Sequence, residues 1–131
     1  MINLGLDIKL FVLLFMSLGF DWMVQTDWEA TNKFTNWKAR LRHSFTYSML
    51  TTFLISLFGY YGWETFTVFW ILLITHFIID KCTIVLWWMK NVKRIPEILF
   101  KDLWWMNIAI DQWLHLWVNL IICVVYFYLF K

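Results

Sequence analysis

Six ionisable side chains stand inside long apolar runs: Asp21, His43, His76, Asp80, Asp111 and His115, accompanied by Gln25 and Gln112. A charged group at the centre of a lipid-spanning helix costs about 2.5–3.5 kcal/mol on insertion scales, so such residues mark candidate functional positions. Their spacing groups them. His76 and Asp80 are four residues apart, as are Asp111 and His115 in the reverse order, and residues four apart share one face of a helix. Asn107, Asp111, His115 and Asn119 continue that stripe, and Ser17, Asp21 and Gln25 repeat the interval. His43, Tyr47 and Thr51 form a further stripe, beside the small residues Ser44, Ser48, Thr52 and Ser56 that allow helices to approach closely.

Carboxylates and imidazoles projecting from facing helices are the donor set with which bundles hold Zn, Mn or Fe. A dication would also neutralise carboxylates that otherwise repel one another. On this reading His76, Asp80, Asp111 and His115 are the metal ligands, and Asp21 or His43 completes the shell or acts as general base. Gln25 and Gln112 then orient ligands or substrate. Two other uses of the same residues stay open: a metal-free network fixing helix register, and a proton or ion relay.

The elements that must position these groups follow from composition. The chain has 131 residues, 62% hydrophobic, 22% aromatic and 15% charged, with 11 Trp and 13 Phe. Soluble domains carry about 25% charged and about 45–50% apolar residues, so the expected solvent is lipid. Four apolar stretches approach the length of a bilayer core, at about 9–25, 43–61, 66–89 and 103–130. Together they predict an all-α, four-helix transmembrane bundle forming a single domain, 1–131. Lys33, Lys38, Arg40 and Arg42 lie between the first two stretches, and Lys90, Lys93, Arg94 and Lys101 between the last two. The turn at Gly59–Glu64 has no basic residue, so the positive-inside rule places both basic loops in the cytoplasm and both termini outside. Counted from Trp28, Trp37, Trp87, Trp88, Trp104 and Trp105, the three Asp and three His residues fall in one layer of the cytoplasmic leaflet.

Other signals are weaker. A net charge of +2 argues against nucleic acid as a partner. Cys82 and Cys123 have no metal or redox spacing and read as buried apolar groups. Lys81 adjoins Asp80, but neighbours do not share a face, so it is expected to snorkel outward.

The run Gly19-Phe20-Asp21-Trp22-Met23-Val24-Gln25-Thr26-Asp27-Trp28, followed by Asn32-Lys33, resembles a family of small bacterial and phage integral-membrane proteins classed as a domain of unknown function. That family pairs this opening with a lone His leading the second span, H-x3-D in the third and D-Q-x2-H in the fourth. Here these are His43, His76 with Asp80, and Asp111-Gln112 with His115. The resemblance covers nearly the whole chain. It implies a multi-helix protein of a bacterial inner membrane, with Asp27 among its marked positions, and it brings no activity.

The residues therefore predict a membrane-embedded metal-dependent hydrolase acting on a lipid headgroup or membrane-proximal substrate, with Zn, Mn or Fe as cofactor. The alternatives are a proton or divalent-cation transporter subunit, which would need an oligomer, and a structural partner of another membrane protein. No nucleotide-binding loop, nucleophile elbow or H-E-x-x-H motif is present.

Overall fold

The computed structural model describes residues 4–58 and 61–129. The described residues form α1 (Leu4–Met23), α2 (Asp27–Asn32), α3 (Trp37–Leu57), α4 (Trp63–Ile79), α5 (Thr83–Asn91) and α6 (Trp104–Leu129). One turn of 3-10 helix at Glu97–Leu99 follows Pro96, whose ring fixes φ where a helix can start.

Local chemistry sets the boundaries. Thr26 and Glu29 form a capping box: the Thr26 hydroxyl accepts from Glu29 N (3.3 Å), and the Glu29 carboxylate accepts from Thr26 N (2.7 Å). Asn36 caps α3 by accepting from Lys38 N at 2.9 Å. Gly62 precedes α4 at φ 110, where a Cβ would meet Glu64 Oε2 at 3.0 Å. Alanine there would be strained.

Helix α3 is the hub, packing against α4, α1 and α2, while α6 closes the bundle against α1, α4 and α5. Leu13, Tyr47, Ile55, Val68, Leu72, Cys123 and Tyr126 form the apolar core. Thr65 and Tyr126 share a hydrogen bond of 2.8 Å that ties α4 to α6. Ser44 and Ser48 are completely buried on α3, so only small side chains fit there. Ser48→Leu should lower stability by about 1–3 kcal/mol through overpacking, with Ser48→Ala close to wild type in detergent unfolding. Equal melting temperatures for the two variants would refute this packing.

The expectation of a four-helix transmembrane bundle, with both termini outside, is overturned. Among the described residues only α6, over Trp104–Tyr126, is long and apolar enough to cross a membrane. Helices α4 and α5 pass that test only as a pair, and they are bent by 53° at their junction. The reasons are local. Helix α1 carries Asp7, Lys9 and Asp21 within 20 residues. Helix α3 opens with Lys38, Arg40 and Arg42 and continues with serines and threonines. The expected third span, 66–89, breaks at Asp80–Cys82, where Cys82 adopts the left-handed conformation (φ 59). The multi-pass topology with cytoplasmic basic loops depended on those four spans and falls with them. Of the turn expected at Gly59–Glu64, residues 59 and 60 lie outside the described residues, as do 130 and 131 at the chain's end.

The first basic loop is also not simply a loop. It contains α2, and Glu29, Lys33 and Arg40 are buried. Arg40 lies over the Phe77 ring (4.5 Å) and donates to the Lys33 carbonyl at 3.3 Å. Arg42 pairs with Glu29 at 3.0 Å, joining α2 to α3.

Candidate metal centre

Three helices deliver the first four polar residues to one place. Asp21 comes from the last turn of α1, His43 from the second turn of α3, His76 from the last turn of α4, and Asp80 caps that helix. All four are buried, with at most 2% of any one exposed. His43 Nε2 lies 2.9 Å from Asp21 Oδ1, 3.1 Å from His76 Nε2 and 3.4 Å from Asp80 Oδ2. His76 Nε2 lies 3.3 Å from both Asp21 Oδ1 and Asp80 Oδ2. Zinc bonds of about 2.0–2.1 Å in a tetrahedron separate the donor atoms by roughly 3.3 Å, so these four atoms already stand at ligand-to-ligand distance. Two imidazole nitrogens facing each other is otherwise an awkward contact, since at least one must carry a proton between them.

A second group adjoins the first. One donor atom each from Asp21, Asp111 and His115 lie within 4.8 Å of one another. His115 Nε2 is 3.4 Å from Asp80 Oδ1 and 3.8 Å from Asp111 Oδ2. Asp80 Oδ2, Asp111 Oδ1 and His115 Nε2 are buried without a hydrogen-bond partner. Buried polar atoms are nearly always paired, so orphans at a point of convergence mark a place built for something else.

The surrounding residues hold the rings. His76 is sandwiched between Tyr47 (centroids 4.0 Å apart) and His115 (4.1 Å). Tyr47 OH accepts from Asn119 Nδ2 at 2.6 Å, and the same amide reaches Ser17 Oγ at 3.1 Å. Tyr47→Phe would leave that buried amide short of a partner, with an expected loss of about 1–3 kcal/mol in unfolding measurements. A loss of only a few tenths would show that the Ser17 contact suffices.

Lys33 is the participant that sequence reasoning missed. Its ammonium lies 3.2 Å from Asp80 Oδ1 and 4.0 Å from Asp21 Oδ1, and the side chain is buried. Burial alone would lower its pKa, but the charges of Asp80, Asp21 and Asp111 outweigh burial and hold it above the ordinary lysine value. Read as one of several loop charges, it carried only orientation. The available signal was its place, with Asn32, after the Gly19–Trp28 run among the residues that carry the resemblance. Lys81, by contrast, is exposed, as its spacing predicted.

Gln112 donates to Asp21 Oδ2 and so orients a candidate ligand. Gln25 makes no such contact; its Oε1 is buried without a partner. Asp27 is exposed on the first turn of α2 and does not join the centre. A cavity of about 270 Å³ reaches the centre from one side, lined by Asp21, Asp111, Lys33, Gln25, Asn107 and Gln112, with Trp22 and Phe34 on its apolar wall. His43, His76, Asp80 and His115 do not line it; Asp21, common to both groups, and Asp111 do.

Fold and centre together define an all-helical protein with a buried Asp/His cluster whose groups could hold a metal ion. The chain belongs to the family described as protein of unknown function (DUF3307), whose model matches residues 9–131. No curated protein and no solved structure matches it.

Proposed function

We propose that the protein is a membrane-associated metalloprotein that binds a divalent cation between Asp21, His43, His76 and Asp80 and serves as a metal-dependent hydrolase. The carrying observation is the convergence of two Nε2 atoms and two carboxylate oxygens at separations of 2.9–3.4 Å. Charge supports it. Three aspartates face a single lysine, so with neutral imidazoles the centre holds two uncompensated negative charges, which one divalent cation removes. The mixed nitrogen and oxygen donors suit Zn, Mn or Fe.

When bound, such a metal supplies a nucleophilic water near neutral pH and polarises a phosphoryl or carbonyl oxygen. The chain's own residues define where a substrate would sit. The cavity brings Gln25, Asn107 and Gln112 within reach of a polar headgroup beside Asp21 and Asp111. Trp22 and Phe34 offer an apolar wall for an attached acyl or peptide segment. Membrane association rests on α6 and on exposed aromatic residues such as Trp113 and Trp117. A lipid headgroup or a membrane-proximal peptide is the substrate class this combination favours.

The test is elemental analysis of protein purified in detergent without chelators, followed by ester and phosphodiester hydrolysis assays on lipids. Wild type should retain metal, and His43→Ala should lose it together with activity. A wild type that stays metal-free after incubation with Zn²⁺, Mn²⁺ and Fe²⁺ would sink the reading. A proton relay is the second reading, favoured by the run of contacts from His76 through His43 to Asp21 and Gln112 at the cavity. Proteoliposomes under a pH gradient separate the two, because only a relay carries flux without metal.

A further inference from the structure

The cluster contains more donors than one ion can use. The first group, Asp21, His43, His76 and Asp80, supplies four ligands, of which Asp21 alone lines the cavity. Asp111 and His115 remain, with Asp21 common to both groups. Structural metal sites have four protein ligands and no opening, whereas catalytic sites keep three and leave a position free. Within one cluster, a four-residue group and a three-residue group stand side by side.

We propose a dinuclear centre in which Asp21 bridges an inner, four-ligand site and an outer site formed by Asp21, Asp111 and His115, whose two aspartates line the cavity. This inference rests on the metal-binding reading above and names what that reading leaves undetermined, which is where the reaction takes place.

Three observations carry it. Asp111 and His115 are buried, the His115 side chain more than nine-tenths so, yet Asp111 Oδ1 and His115 Nε2 have no hydrogen-bond partner. Donors orphaned at this depth are costly unless a ligand completes them. Next, Asp21 and Asp111 both line the cavity, so a cation held there would have a face directed into open space. Finally, Gln25 Oε1 and Asn107 Oδ1, on the same cavity wall, are buried acceptors without donors. A water bound at the open position has two protons to give, and these two oxygens are suited to take them.

A charge consequence follows. The inner dication neutralises the centre, so a second one leaves it cationic, and the open position then favours an anion. A phosphate ester is the substrate class with matching charge, since paired metals clamp the attacking and leaving oxygens of phosphoryl displacement.

Manganese is the probe. Metal-stripped protein in detergent is loaded with Mn²⁺, freed of excess by gel filtration, and measured for metal content and by electron paramagnetic resonance. The expected result is about two equivalents and an exchange-coupled spectrum, as ions about 3.5–4 Å apart give. Asp111→Asn and His115→Ala should each reduce the content to about one equivalent with an isolated-ion spectrum. About one equivalent in the wild type, with an isolated-ion spectrum, would overturn the outer site and leave the inner one standing. No retained metal would overturn both. The wild-type spectrum decides the matter even if a variant fails to fold.

Discussion

Stripping the metal from wild-type protein should lower its stability by about 4 kcal/mol when the metal stands at a thousand times its dissociation constant. His76→Ala should abolish that difference. The argument is mass action: an ion that binds only the folded arrangement stabilises it, and His76 contributes one of four atoms grouped at ligand spacing. The alanine variant loses the stacked ring between Tyr47 and His115 as well, so its metal-free form will itself be weakened. The informative quantity is therefore the gap between metal-loaded and chelated samples, measured by denaturant unfolding for each protein. A gap that persists in His76→Ala would place the ion elsewhere. A wild type without any gap would mean that the cluster is a hydrogen-bonded network.

Lys33→Met carries the second large effect, and its direction depends on the metal. In metal-free protein the substitution removes the ammonium 3.2 Å from Asp80 Oδ1 and leaves a fully buried carboxylate without its cation. Breaking a buried pair by deleting one partner costs about 3–5 kcal/mol. Once a dication neutralises the same carboxylates, much of that cost disappears. The variant should therefore bind metal more tightly than wild type, although it is less stable without it. Equal destabilisation with and without metal would show that lysine and metal do not share the carboxylates. The Arg40 contact to the Lys33 carbonyl uses main chain, so the methionine substitution leaves it in place.

The centre was more legible in the sequence than the fold around it. Asp21, His43, His76, Asp80, Asp111 and His115 announce themselves because each interrupts an apolar run, and the two four-residue pairs fix their faces. Those signals are local, and the described helices bring the six residues together. Transmembrane architecture was misjudged because hydropathy over a stretch does not reveal where a helix stops. Nothing in His76 to Trp88 advertises that the chain turns at Cys82, a non-glycine residue in the left-handed region. The small polar residues of α3 were legible, by contrast: Ser44 and Ser48 in their stripe and Thr51 on the His43 face are all buried. Lys33 was invisible for a different reason. Its partner Asp80 is 47 residues away, and no periodicity links them.

The break between α4 and α5 also has an electrostatic side. Helix α4 stops at Ile79 and α1 at Met23, so both end beside the cluster, where Asp80 and Asp21 sit. The C-terminal end of a helix carries about half a negative charge from its aligned peptide dipoles. Each end is followed at once by the start of another helix, α2 at Asp27 and α5 at Thr83, whose N-terminal end carries about half a positive charge. Had α4 run on unbroken to Asn91, its end would lie three turns away, and neither of the two ends at the break would stand beside Asp80. The main chain thus places partial charges of both signs beside the cluster, and no side-chain substitution removes them.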